Sequence, residues 1–206
     1  MSPSRIRLLV VPTGAANLAA VFAAFRRIGT EPVLSSDPDR IRAAKRVVLP
    51  GVGAFGPARV ALAESGADQA LLERTDADES TLGICLGMHL FAEGSQEAEG
   101  DGGLGVLPGV AERFGASVRV PQMGWNRVEA AQTHGFLRSG DAYFANSFRL
   151  PVPESPGGWT FATADHGGAF LAAAERGRTL VCQFHPELSG PYGASLLQRW
   201  HEEGSC

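Results

Sequence analysis

The sequence predicts an α/β fold, a three-layer sandwich in which helices cover a central, mostly parallel mixed sheet. Three observations point there. Apolar strand-like runs alternate with helix-patterned segments through the first half, the signature of strand–helix–strand units. The second half changes to short apolar runs separated by Gly and Pro turns, which adds antiparallel strands. The chain has 206 residues of which 44% are hydrophobic, enough for one substantial core, so a single domain over residues 1–206 is expected.

Taken in order, a first strand is predicted to run to Val11, followed by a helix from about Asn17 to Ile28. In that helix Leu18, Val21, Phe22, Phe25 and Ile28 share one face, Asn17 caps the start and Gly29 fits the exit. A short strand is expected near Val33-Leu34 and further strands at Val47–Leu49 and Leu82–Ile84, with a helical pattern at Asp68 to Arg74 between them. After about Gly94 the expected strands are Val118–Val120, Ala142–Ala145, Thr160–Thr163, Phe170–Ala174 and Leu180–Phe184, before a last helix to about His201. Gly100–Gly103 and Pro153–Gly158 are predicted as loops, and no repeat or low-complexity tract is present.

Composition narrows the class of function. The net charge of −4, without a basic run, argues against nucleic acid or an anionic membrane as a partner. Cys85, Cys182 and Cys206 are odd in number and irregular in spacing, which predicts no disulfide framework and a reducing cytoplasm. The run Arg5 to Pro12 is too short for a signal-peptide core and lacks a small-residue cleavage site, and no segment approaches a membrane span.

The most informative stretch is Leu82-Gly83-Ile84-Cys85-Leu86-Gly87. A cysteine between two glycines, after an apolar strand and before an apolar helix, describes a nucleophile elbow, a strained strand-to-helix turn that holds its nucleophile out at the sheet edge. A helix N-terminus there favours thiolate and supplies oxyanion donors. The plain alternative for Cys85 is a small buried hydrophobe. A partner for it lies in Gln183-Phe184-His185-Pro186-Glu187, where an apolar strand ends. Residues two apart in extended chain point the same way, so Glu187 can accept from one imidazole nitrogen of His185 while the other faces a nucleophile. That is a triad with cysteine as nucleophile: His185 takes the thiol proton and delivers it to a leaving amine, and Glu187 fixes the tautomer.

Gly51, Gly53 and Gly56 spell G-x-G-x-x-G after the third strand. A dinucleotide fingerprint belongs after the first strand and wants an acidic residue about twenty positions on, at the end of the next strand. Here the acids at that distance, Glu73 and Asp76, fall in or after a helical pattern. Oxyanion stabilisation is the better reading, with a backbone N–H of Val52 or Gly53 turned toward the carbonyl under attack by Cys85, beside the Leu86 amide.

These segments, with Pro121-Gln122-Met123-Gly124-Trp125-Asn126 and Tyr143-Phe144, resemble the class I (triad) glutamine amidotransferases. Within that class they resemble the glutaminase subunits of imidazole glycerol phosphate synthases, in order and spacing along nearly the whole chain. Met123-Gly124-Trp125-Asn126 discriminates most; by itself it reads as a turn with a buried Trp. The resemblance implies hydrolysis of glutamine to glutamate and ammonia through a Cys85 thioester. It also implies delivery of the ammonia to a (β/α)8-barrel cyclase subunit in histidine biosynthesis, hence a heterodimer in the cytoplasm, and no cofactor or metal. It places glutamine across the elbow, with Gly51, His89 and Tyr143 beside it, Glu97 receiving the α-amino group and Ser147 with adjacent backbone holding the carboxylate. Read alone, Gln96-Glu97-Ala98-Glu99 equally fits a solvated acidic loop.

Some positions depart from the family pattern. His89 stands where relatives usually have Gln, on the face of the thiol one turn along, where it can contact glutamine, raise the thiolate population if protonated, or misplace the substrate. Gln122 and Asn146 stand where many relatives have His, and both still offer hydrogen bonds. Leu188 replaces a common Lys or Arg after His-Pro-Glu, which predicts a different or weaker docking contact. Three rival readings stay open: an amidotransferase or γ-glutamyl hydrolase of another pathway, a catalytically impaired regulatory relative, and a metal site built from Cys85, His89, His185 and Glu187.

Overall fold

A computed structural model describes residues 7–14, 17–98, 100–132 and 134–203. Its elements in chain order are β1 (Leu9–Val10), α1 (Leu18–Arg27), β2 (Val33–Leu34), α2 (Pro38–Ala43), β3 (Val47–Gly51), α3 (Phe55–Ser65), α4 (Ala67–Asp76), β4 (Thr81–Cys85) and α5 (Leu86–Phe91). They continue with β5 (Gly94–Ser95), β6 (Val110–Arg113), β7 (Gln122–Ala130), β8 (Gly140–Asn146), β9 (Phe148–Arg149), β10 (Thr160–Asp165), β11 (Ala169–Arg176) and β12 (Thr179–Cys182). A 3₁₀ turn (Pro186–Leu188) and α6 (Gly190–Glu203) follow.

The central sheet has nine strands in the order β2-β1-β3-β4-β12-β11-β10-β7-β8. The half from β2 to β12 is parallel, and β11, β10, β7 and β8 extend it antiparallel. Strands β5, β6 and β9 form a small second sheet. Strands β3, β4 and β12 are buried along their whole length, as parallel strands covered on both faces must be. Apolar side chains collect in two clusters. One gathers Val10, Phe25, Ile84, Phe144, Phe184 and Trp200; the other gathers Leu9, Leu49, Phe55, Leu71, Met88 and Phe91. The alternation of neighbours such as Leu9 and Val10 between clusters is the period-2 alternation of a strand with a core on each side.

Helix α1 has the predicted ends: Asn17 accepts from the Ala20 N–H, and Gly29 follows at a φ of 79°. Elsewhere structure and expectation differ. Helices α2 and α3 lie where none is predicted, and Gly56, the third glycine of the G-x-G-x-x-G run, belongs to α3 rather than to a loop. Val118–Val120 is not a strand. Strand β7 covers the Met-Gly-Trp-Asn segment instead, and Trp125 is 61% exposed rather than buried in a turn. Its hydrogen-bonded register with β8, from Gln122 opposite Asn146 to Val128 opposite Gly140, holds extended a segment whose Gly and Asn disfavour strand locally. Strand β12 ends at Cys182, short of Phe184. No described helix is long and apolar enough to cross a membrane.

Candidate active site

The C-terminal ends of the central parallel strands carry the site. Cys85 closes β4 and precedes α5 with φ 53° and ψ −106°, a conformation that costs a non-glycine residue about 1–3 kcal/mol and persists only when the surroundings dictate it. Here packing dictates it. A Cβ on Gly87 would fall on the Leu49 carbonyl, and one on Gly83 would lie 2.9 Å from Phe91 Cδ2, so glycines let α5 press against β3 and β4 and force the turn at the residue between them. Helix α5 has only six residues, all buried, and so brings a weak dipole. Charge on the sulfur must be met chiefly by nearby side chains.

His185 and Glu187 lie just past the end of β12. The backbone is extended at His185 and then turns through the Pro186–Leu188 segment, so the two side chains meet because the chain folds back, and not along a continuous strand as the sequence suggests. His185 Nδ1 lies 2.8 Å from Glu187 Oε1, with both side chains buried. Two backbone contacts fix the imidazole's base: His185 N–H donates to the Tyr143 carbonyl at 2.9 Å, and Ser189 Oγ donates to the His185 carbonyl at 2.6 Å while accepting from the Tyr143 N–H at 2.9 Å. Ser189 is fully buried, and no role for it is legible in the sequence because its two partners come from a distant strand and from its own turn.

Burial alone would lower the pKa of His185. Hydrogen bonds to Cys85 and to Glu187, followed by the negative charge of each, reverse that and raise it to about 10. His185 thus holds its proton at neutral pH. His89 goes the other way: burial lowers its pKa, only partly offset by a hydrogen bond to Gln183, so it is neutral at physiological pH. The Cys182 thiol is raised well above the usual range by burial, then by the charges of Glu187 and Cys85, and is not a nucleophile.

Cys85 opens on a cavity of about 370 Å³ that Val52, Gly53, Leu86, His89, Glu97 and Ser147 also line. Gly53 has a φ of 104°, which glycine adopts freely. Glu97 is not a solvated loop residue alone: its Oε2 accepts from Phe55 N–H at 3.0 Å at the start of α3, while its side chain faces the cavity. Gly51 and Tyr143 stand outside the lining. Gly51 lies in register with Cys85, and a Cβ on it would be 2.9 Å from the Leu86 Cβ; Tyr143 serves through its backbone bonds to His185 and Ser189. Arg113 and Asn146 also line it, and the sequence gives no sign of Arg113 because β6 is too short and mixed to be read as a strand. Among the described residues, no group of three or more His, Cys, Asp and Glu side chains could hold a metal ion.

A strained cysteine at the end of a parallel strand, with a buried imidazole and carboxylate behind it, has the arrangement of a nucleophile and its base on an α/β sheet. Comparison with known proteins specifies the class. Residues 14–202 match the family model described as glutamine amidotransferase class-I. The imidazole glycerol phosphate synthase subunit HisH of Synechococcus sp. (strain JA-2-3B'a(2-13)) is 38% identical over 96% of this chain and 93% of its own length. The same-named subunit of Streptococcus gordonii is 37% identical over 95% of each chain. The chloroplastic imidazole glycerol phosphate synthase hisHF of Arabidopsis thaliana is 36% identical over 91% of this chain, which spans 32% of that longer protein. A crystal structure of a glutamine amidotransferase superposes with a TM-score of 0.76 over 96% of this chain and 99% of its own, at 20% identity, a likeness of fold. The chain belongs to the class-I glutamine amidotransferases, in the group of imidazole glycerol phosphate synthase HisH subunits.

Proposed function

We propose that this chain hydrolyses the side-chain amide of glutamine through a thioester on Cys85 and hands the ammonia to a (β/α)8-barrel cyclase subunit of imidazole glycerol phosphate synthase, in cytoplasmic histidine biosynthesis. Cys85 Sγ, as thiolate, attacks the amide carbon. The oxyanion is met by the Leu86 N–H and a backbone N–H from Val52 or Gly53, each of which lines the cavity beside the sulfur. The His185 imidazolium, steadied by Glu187, gives its proton to the departing amide nitrogen, and ammonia leaves. Water then attacks the thioester and gives a proton to His185, and glutamate departs as the thiolate is restored; the sum is glutamine plus water to glutamate plus ammonia. Glu97 receives the α-ammonium group, and Ser147, its neighbouring backbone and Arg113 receive the α-carboxylate. Gly51 and Tyr143 act from outside the cavity, through Leu86 and through the backbone of His185.

The observation that carries this reading is the bonded His185–Glu187 pair at 2.8 Å, with the backbone-strained Cys85 close enough to raise the pKa of His185. Support for a partner comes from the relatives' names, which make them subunits, and from the larger hisHF protein of which this chain matches one portion. The exposed Met123 and Trp125, on one face of β7, supply an apolar surface for it, and Leu188 and Val52 are exposed as well. The test is to purify the chain with its cognate cyclase subunit and measure glutamate release. Cys85→Ala and His185→Ala should each abolish release; unchanged release in either refutes the triad. Labelling of Cys85 by a glutamine-analogue electrophile separates an active glutaminase from an impaired regulatory relative, which would not be labelled.

A further inference from the structure

Gln183 has no part in the chemistry above, yet it bridges two polar groups at the floor of the cavity. Its Oε1 lies 2.7 Å from His89 Nε2, and its Nε2 lies 3.6 Å from Cys85 Sγ. The residue is fully buried, and its own N–H is tied to the Ala172 carbonyl at 2.8 Å, so its side chain starts from a fixed point. A primary amide is two-faced, with donors on one side and an acceptor on the other. Turned as it is here, it presents N–H to sulfur and can do so only if a donor meets its carbonyl; turned over, it would present a carbonyl oxygen to the sulfur, which favours S–H and opposes S⁻. We infer that His89 is a positioning residue: its Nε2–H holds the Gln183 carbonyl, and this fixes the amide so that its N–H donates to the Cys85 thiolate.

This deepens the proposed glutaminase reading and rests on it. It also changes the role of His89. The ring is neutral in its burial, so it does not act on the thiolate as a cation, and its Nε2 is occupied by Gln183. Its route to the nucleophile is through the amide. The short α5 helix makes such a local donor matter, because little of the thiolate's stabilisation comes from a helix dipole. Other groups also face Cys85 and set its baseline: His185 and Glu187 from the turn after β12, Cys182 on β12 itself, and Glu97 and Arg113 across the cavity. The variants below leave all of these in place.

The measurement is the rate of Cys85 alkylation by iodoacetamide as a function of pH, read by mass spectrometry on the Cys85 peptide in the complex with the cyclase subunit. His89→Leu should move the acid limb of the profile up by about one pH unit, an about tenfold slower reaction below it. Gln183→Met, an unbranched apolar replacement of similar length, should do the same. The double variant should shift no further than either single one, because both cut one chain of contacts. His89→Gln, whose amide N–H can meet the same carbonyl, should return the profile to within threefold of the parent. A His89→Leu or Gln183→Met profile that overlays the parent, a double variant whose shifts add, or a His89→Gln that behaves as His89→Leu overturns the inference. If His89→Leu does not fold, Gln183→Met with His89→Gln still decides it. Alkylation needs no glutamine turnover, so the shifts together with a parent complex that releases no glutamate would refute the hydrolytic reading, while release by the parent without the shifts would overturn only this inference.

Discussion

Replacing Glu187 with Gln keeps shape and an acceptor oxygen at the 2.8 Å contact with His185 Nδ1 and removes only the charge. Both side chains are buried, so solvent screens the loss little. A hydrogen bond to a charged group contributes about 1.5–3 kcal/mol where a neutral one contributes about 1 kcal/mol. The difference, about 0.5–2 kcal/mol at ~1.4 kcal/mol per pKa unit, should lower His185 by about 0.5–1.5 units. The sign follows from the direction of the native shift. His185 is raised to about 10, so its protonated form persists through the alkaline range; with Glu187 neutral, the proton leaves at lower pH. The alkaline limb of kcat/KM for glutamate release, measured on the complex with the cyclase subunit, should therefore move down by about 0.5–1.5 pH units. If the same energy is missing when the amide nitrogen takes its proton, the rate at neutral pH should fall about 2–30-fold. An alkaline limb that stays in place, with the rate unchanged, would refute the assignment of Glu187 as the group that steadies the imidazolium.

Three further outcomes follow from particular contacts. The lowered pKa of His89 means the unfolded chain binds a proton at mildly acid pH that the folded chain does not, so native stability falls as pH drops below about 6.5. His89→Gln removes that slope: urea titrations at about pH 7.5 and pH 5.5 should show the acid loss of stability reduced by ~1 kcal/mol, with the contribution of the same sign from His201 untouched. Gly87→Ala should cost about 3 kcal/mol or prevent folding, because its methyl group meets the Leu49 carbonyl between two packed elements, and a denaturation midpoint near the parent's would count against the proposed origin of the elbow. Trp125→Ala should weaken binding of the cyclase subunit about 30-fold in calorimetric titration while leaving the chain's own unfolding almost unchanged, since the ring is 61% exposed and rests edge-on against Tyr143; equal affinity would move the docking surface elsewhere.

The parallel half of the fold is legible in the sequence because its strands are wholly apolar and its best helix carries its own signals. Val47 to Leu49 and Leu82 to Ile84 stand out as short apolar runs, and Asn17 and Gly29 mark both ends of α1. The antiparallel half is less legible, and β7 shows why. Along Gln122 to Ala130 the alternating faces are polar, aromatic and glycine, and only Gln122 and Val128 are buried, so what makes it a strand is its ladder with β8 and not its own preference. Such pairing depends on a partner about twenty residues away and leaves no local mark. Helix α3 escapes notice for a related reason, since three glycines at 51, 53 and 56 read as loop until the third is seen packed within the first helical turn.

The site divides along the same line. Residues whose chemistry is carried by a short motif, Cys85 between its glycines and His185 beside Glu187, are recognisable because the motif fixes their spacing on the chain. Residues that act by holding others are not. Gln183 sits inside the motif that names His185, yet its task depends on His89 from α5 and Cys85 from β4, which only the adjacency of β4 and β12 brings to it. Ser189 likewise matters through Tyr143, and Glu97 through Phe55, each across a sequence gap that no periodicity bridges. The register Cys182 opposite Ile84 sets how far past each strand end the next side chains reach, and so puts Gln183 level with Cys85. Topology, then, converts two separately readable motifs into one site, with His89 and Gln183 linked to the sulfur and the bonded His185–Glu187 pair interacting with it. A histidine at position 89 is accommodated there because a neutral ring can supply the one donor the amide requires, and this is why burying it costs the fold acid stability rather than its nucleophile.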